Sequence, residues 1–170
     1  MTRHDSMVKW GVYALALVPV WFLEGLILSR WRIFGLTPML LPLAAAAVAV
    51  LEGTVGGAGF GVAVGLLSTV VYHGNNAWMI VYLALAGLGA GLLTQYFLRQ
   101  DLLGCLVCAL LTLAGLDGVR MILWMVGGRA PLDAMLRLAG REIGVSMLFA
   151  APVYLLFRWV FRRVPKSTHF

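Results

Sequence analysis

Charge is scarce in this chain. Lysine, arginine, aspartate and glutamate make up 12% of its 170 residues, against roughly 25% in ordinary water-soluble domains, while 62% of the residues are hydrophobic. A chain so poor in polar groups cannot cover its own surface in water, which excludes a soluble enzyme or binding module. The apolar residues instead fall in blocks separated by short polar joints. That pattern predicts an all-α, polytopic membrane protein forming one integral domain, 1–170, with no separate soluble part.

Cysteine is also sparse, and its setting excludes the usual metal chemistry. Cys105 and Cys108 form a CxxC inside the continuous apolar run "LLGCLVCALLTLAG", with no further His, Cys or carboxylate at a metal-ligand spacing. They read as two small buried thiols. No nucleophile constellation, phosphate loop or metal signature occurs elsewhere, so neither an enzyme nor a cofactor is expected. Ser68 and Thr69 are expected to hydrogen-bond to their own helix backbone. The formal charge of +6 does not mark a nucleic-acid surface, because the basic residues sit at helix ends and in joints, without interleaved aromatics. They suit topology signals and contacts with membrane lipid headgroups.

Six blocks read as membrane crossings of a core about 30 Å thick: Trp10–Leu28, Leu36–Leu51, Thr54–Tyr72, Ala77–Leu98, Leu102–Val126 and Ile143–Phe161. The first block has the basic flank of a secretory signal, but its length and interior Glu24 favour a retained helix. Pro38 suits the first turn of the second block. The joint "EGT" is so tight that the second and third blocks must form a helical hairpin. "HGNN" is a polar turn, and Asp101 stands where it would cap the fifth helix. In the longest joint, "GGRAPLDAMLRLAGRE", a short helix is expected either in the membrane interface or packed on the bundle end. An even number of crossings puts both termini on one side, and the basic exit "RWVFRRVPK" makes that side cytoplasmic.

Glycine is plentiful where a soluble helix would avoid it. Gly53, Gly57, Gly61 and Gly65 recur at intervals of four, so they share one helical stripe. In lipid, helices associate through close packing rather than through hiding apolar surface, and small residues let backbones approach. Gly87 with Gly91, Ala114 with Gly118, and the run Ala44–Ala47 supply further small faces. The stripe either packs a neighbouring helix of the same chain or receives a partner helix, with Glu52 at the hairpin tip as part of that contact surface. Charges within the blocks are costly, about 2.5–3.5 kcal/mol each on insertion scales. Asp117 and Arg120, three apart, share a face and are expected to neutralise each other; a contact with a ligand or partner is the alternative. Glu24 and Glu52 lie near helix ends, where the polar interface would relieve them.

The stretch "LTPMLLPLAAAAVAVLEGTVGGAGFGVAVGLLS" resembles the rod-shape-determining protein MreD family. The resemblance rests on a second helix opened by Pro38 and Pro42, a Glu-Gly joint at Glu52 and Gly53, and a Gly-rich third helix with Gly65, Leu66 and Leu67. An Asp often follows that element in the family; Ser68 and Thr69 stand there instead. The resemblance implies a six-transmembrane-helix bundle similar in fold to the substrate-binding subunits (S-components) of energy-coupling-factor (ECF) transporters. It also implies a non-catalytic adaptor of bacterial cell-wall elongation in the plasma membrane. Its partners would be an MreC-like single-helix protein and, directly or through it, RodA and its transpeptidase. The alternative is a vitamin-transporter substrate subunit, with Trp31, Trp78, Tyr82, Asp117 and Arg120 lining its ligand site.

Overall fold

A computed structural model describes residues 3–28, 30, 38–71, 77–98, 100–127 and 132–163. Every described element is helical. Helix α1 (Arg3–Phe22) runs into a π-helical segment (Leu23–Leu28), followed by α2 (Leu40–Val71), α3 (Ala77–Tyr96), α4 (Leu102–Val126) and α5 (Leu132–Arg163).

Helix α2 is broken at Gly53, whose φ of 80° and ψ of −164° lie in a region essentially closed to side-chain-bearing residues. The break reverses the chain. A Cβ placed on Gly57 would lie 2.6 Å from that of Ala49, whereas residues eight apart in an unbroken helix are separated by about 12 Å along the axis. The hairpin read from "EGT" is therefore present. The count of six crossings is not met, because five helices among the described residues are long and apolar enough to span a membrane. The arm 40–52 extends only about 20 Å at 1.5 Å per residue, short of a hydrocarbon core of about 30 Å.

That short arm is the central post of the bundle. Every residue from Pro38 to Leu51 is buried, so the segment is apolar all round because it faces protein all round. The alanines Ala44–Ala47 and Ala49 keep the post thin enough for its neighbours to close around it. Tyr13 of α1, Phe60 of the second α2 arm and Phe157 of α5 meet beside it, with ring centroids 5.7–6.4 Å apart. This cluster also sets the first turns of α1 and the last turns of α5 at the same end of the bundle.

The outer surface is apolar on every helix. Leu15, Val55, Leu85, Leu103 and Leu148 are each more than 60% exposed, an arrangement that suits contact with acyl chains and that water would penalise. With five apolar membrane-length helices, the chain reads as a multi-pass membrane protein.

Several boundaries differ from the sequence reading. Helix α2 begins at Leu40, so Pro38 precedes it and Pro42 occupies its first turn. Asp101 holds the N-cap position of α4, but its side chain makes no capping bond. The long joint does not form a separate short helix; residues 132–141 are the first turns of α5, where Asp133 and Arg137 pair at 2.6 Å on an exposed face. The polar turn "HGNN" and Trp31 lie outside the described residues.

Candidate functional site

The glycine stripe on α2 is filled from within the chain. A Cβ on Gly57 would stand 2.6 Å from the Gly87 carbonyl oxygen, and one on Gly65 would stand 2.6 Å from Ile80 Cα. At Gly61 it would strike the Leu83 carbonyl oxygen. The fit is reciprocal: a Cβ on Gly87 would strike the Gly57 carbonyl oxygen, and one on Gly91 would lie 2.6 Å from Thr54 Cα. Backbone therefore meets backbone along the whole α2–α3 seam, as glycine at intervals of four permits. Of the two readings of the stripe, intramolecular packing is the arrangement present. The groove of Gly57, Gly61 and Gly65 holds α3.

Glu52 is likewise engaged inside the chain. One of its carboxylate oxygens pairs with Lys9 Nζ, and the other accepts a hydrogen bond of 2.7 Å from the Tyr13 hydroxyl. Both side chains of the ion pair are at most 10% exposed. The contact ties the hairpin tip to α1. The 43 positions between Lys9 and Glu52 hide it from any local reading of the sequence.

At the opposite end, the start of α2 is buried, and its first N–H groups have no helical acceptors. Other helices supply them. Glu24, carried by the π-helical segment, accepts from the Leu41 N–H at 2.7 Å, and Ser146 Oγ of α5 accepts from the Met39 N–H at 3.0 Å. Pro42 has no N–H to satisfy. Glu24 is 3% exposed, so protein, not the polar interface, relieves its charge.

Asp117 and Arg120 are brought together as their spacing suggested, with Arg120 Nη1 3.7 Å from Asp117 Oδ1. The pair is not self-contained. Glu142 of α5 lies 3.7 Å from the same guanidinium nitrogen, which also approaches Met39 Sδ at 3.9 Å. Arg120 thus links α4 to α5 and to the start of α2. These three charged groups open into a cleft of about 250 Å³ whose other walls include Met121, Trp124, Leu138 and Ala139.

A second open site lies between α3 and α4. Helix α3 turns Leu83, Gly87 and Gly91 toward α2, and on another face it presents Ala86, Gly89, Ala90 and Leu93. The Tyr82 hydroxyl donates to the Thr112 carbonyl at 2.8 Å and occupies the space left by Gly115, so here a side chain, not a backbone, separates the helices. The result is a groove of about 300 Å³, floored by small α3 residues and walled by Cys108, Leu111 and Thr112 of α4. A Cβ on Gly89 would meet nothing within 4 Å.

Of the remaining polar groups, the Trp21 indole N–H is buried without a hydrogen-bond partner among the described residues. Ser68 and Thr69 donate to the carbonyls of Gly65 and Leu66, both at 2.7 Å, and Cys105 and Cys108 are buried free thiols. Among the described residues, no three His, Cys, Asp or Glu side chains converge as metal ligands would. No family model, curated protein or solved structure matches the chain.

Proposed function

We propose that this chain is a non-catalytic membrane adaptor that seats the transmembrane helix of a partner protein in the groove between α3 and α4. The groove itself carries the reading: it opens on the outer face of the bundle between the exposed Leu85 and Leu111, its floor is small, and the Gly89 position leaves room for a close backbone. The α2 stripe cannot serve, since α3 already fills it. The resemblance of residues 36–68 to the MreD family supplies the setting, bacterial side-wall elongation in the plasma membrane, and the basic last turn of α5, with Arg162 and Arg163, supports cytoplasmic termini. There the partner is an MreC-like single-helix protein, with RodA and its transpeptidase contacted directly or through it.

The transporter alternative needs Trp78, Tyr82, Asp117 and Arg120 around one ligand. Trp78 packs edge-on against Tyr82, with centroids 6.5 Å apart, and Tyr82 lines the α3–α4 groove. Asp117 and Arg120 line a different cleft. This division favours the adaptor.

The test is co-purification in mild detergent with an MreC-like single-helix protein. Gly89→Leu fills the groove and is expected to lower partner recovery at least roughly tenfold, as loss of a central packing contact does. Gly59→Leu, on an exposed part of α2, should leave recovery unchanged. Equal recovery with both variants refutes the groove, and recovery of two ATPases with a large coupling subunit refutes the adaptor.

A further inference from the structure

The cleft between α4 and α5 has a chemistry that the adaptor role does not use. Asp117 and Glu142 each stand 3.7 Å from one nitrogen of Arg120, beyond the 2.7–2.9 Å typical of a direct charge-assisted hydrogen bond. Each carboxylate accepts at about four positions, and among the described residues Arg120 is the one cation within 4 Å of either. The carboxylate side chains are 8% and 16% exposed, which places acceptor oxygens deep in a cleft with apolar walls. Such acceptors gain most from a donor-only cation, and they repel a phosphate or carboxylate that approaches Arg120 between them. The mouth of the cleft is apolar: Trp124 and Leu138 are both about half exposed. An occupant would therefore have a cationic donor head and an apolar body, with the head inward.

We propose that this cleft binds a primary ammonium group carried on an apolar body, the ammonium donating to Asp117 and Glu142 while its apolar part lies against Met121, Trp124 and Leu138. The inference is independent of the groove between α3 and α4. Two sources present this chemistry: a free amphiphilic amine, whose ammonium is borne directly on an apolar body, and an aminophospholipid, whose ammonium reaches the carboxylates with its phosphate held outside them at the cleft mouth and its acyl chains along the apolar wall. A primary ammonium has three N–H donors, whereas a choline headgroup has none.

Native mass spectrometry of the full chain, released from nanodiscs holding equal phosphatidylethanolamine, phosphatidylcholine and phosphatidylglycerol, distinguishes these cases when combined with a titration of 2-phenylethylamine against tryptophan fluorescence. Preferential retention of phosphatidylethanolamine is the result expected for a lipid source. A saturable fluorescence change that is lost in Trp124→Phe, without lipid preference, is the result expected for a free amine. In either case Glu142→Gln should weaken binding roughly tenfold, the usual effect of removing a charged hydrogen-bond partner. Leu138→Trp, at a half-exposed wall of the cleft, narrows it and leaves its charges in place, and should weaken binding while the melting temperature stays near that of the parent. Preference for phosphatidylglycerol, equal retention of the choline and ethanolamine lipids without an amine response, or binding unchanged in both variants would overturn the proposal.

Discussion

Replacing Gly61 by alanine adds a single methyl group, and the structure specifies where that methyl must go. Its carbon would strike the Leu83 carbonyl oxygen and would lie 2.9 Å from the Leu83 carbonyl carbon and 3.1 Å from Ala84 Cα. All three are backbone atoms, so no side chain can rotate out of the way. Helix α3 must retreat by roughly 1 Å, a gap that forfeits a quarter to a half of the attraction at each neighbouring contact. Overpacking of this kind costs about 1–3 kcal/mol, partly offset by the gain of up to ~1 kcal/mol that alanine brings to a helix interior. Gly59 is the internal control. It lies two residues away in the same arm, and an added Cβ there meets nothing within 4 Å. Gly59→Ala should therefore be neutral or stabilising, and because the alanine gain is common to both, the two variants should differ by the overpacking cost, roughly 1–3 kcal/mol. The assay is reversible unfolding in mixed micelles, with both variants followed by circular dichroism under the same conditions. If Gly61→Ala unfolds at or above the midpoint of Gly59→Ala, the backbone-to-backbone seam is not where the geometry puts it.

Three further outcomes follow from the same contacts. Lys9→Met removes the cation beside a buried Glu52 and should destabilise by about 3–5 kcal/mol, whereas the double variant Lys9→Met, Glu52→Gln should recover most of that loss; a strictly additive double variant would show that the two side chains are not coupled. Glu24→Leu leaves the Leu41 N–H buried without an acceptor and should cost about 1–3 kcal/mol, with Glu24→Gln milder because its amide oxygen still accepts; equal effects, read from the same unfolding curves, would contradict the capping role. Gly53→Ala forces a side chain into a backbone region essentially reserved for glycine and should cost about 1–3 kcal/mol. Loss of the Lys9–Glu52 contact should accompany that change, visible as loss of the coupling between Lys9→Met and Glu52→Gln when both are measured on the Gly53→Ala background; an unchanged coupling would show that the hairpin does not depend on Gly53.

Much of the candidate site lay beyond a linear reading for a physical reason. Asp117 and Arg120 are three apart on one helix, so their pairing follows from local geometry. Glu142 joins them from another helix 22 positions beyond Arg120, and no periodicity links the two. The same holds for Lys9 with Glu52 and for Ser146 with Met39, which lie 43 and 107 positions apart. The groove between α3 and α4 has no separate signature in the sequence because its small residues alternate with those of the α2 seam. Ala86, Gly89 and Ala90 look like more of the same packing face until the first face is seen to be taken.

The sequence alone decided the solvent, the all-helical class, the hairpin at Gly53 and the demand for close backbone contact along a glycine stripe. Each of these follows from short-range rules: apolar block length against bilayer thickness, the steric freedom of glycine, and the four-residue repeat of a helix. Tertiary structure decided that α3 is what lies on that stripe. It also decided that the second apolar block is a short buried post whose open end is capped by Glu24 and Ser146, and that Arg120 serves two carboxylates. Those outcomes depend on which helix faces which, a choice made by the summed packing of the whole bundle and not by any one segment.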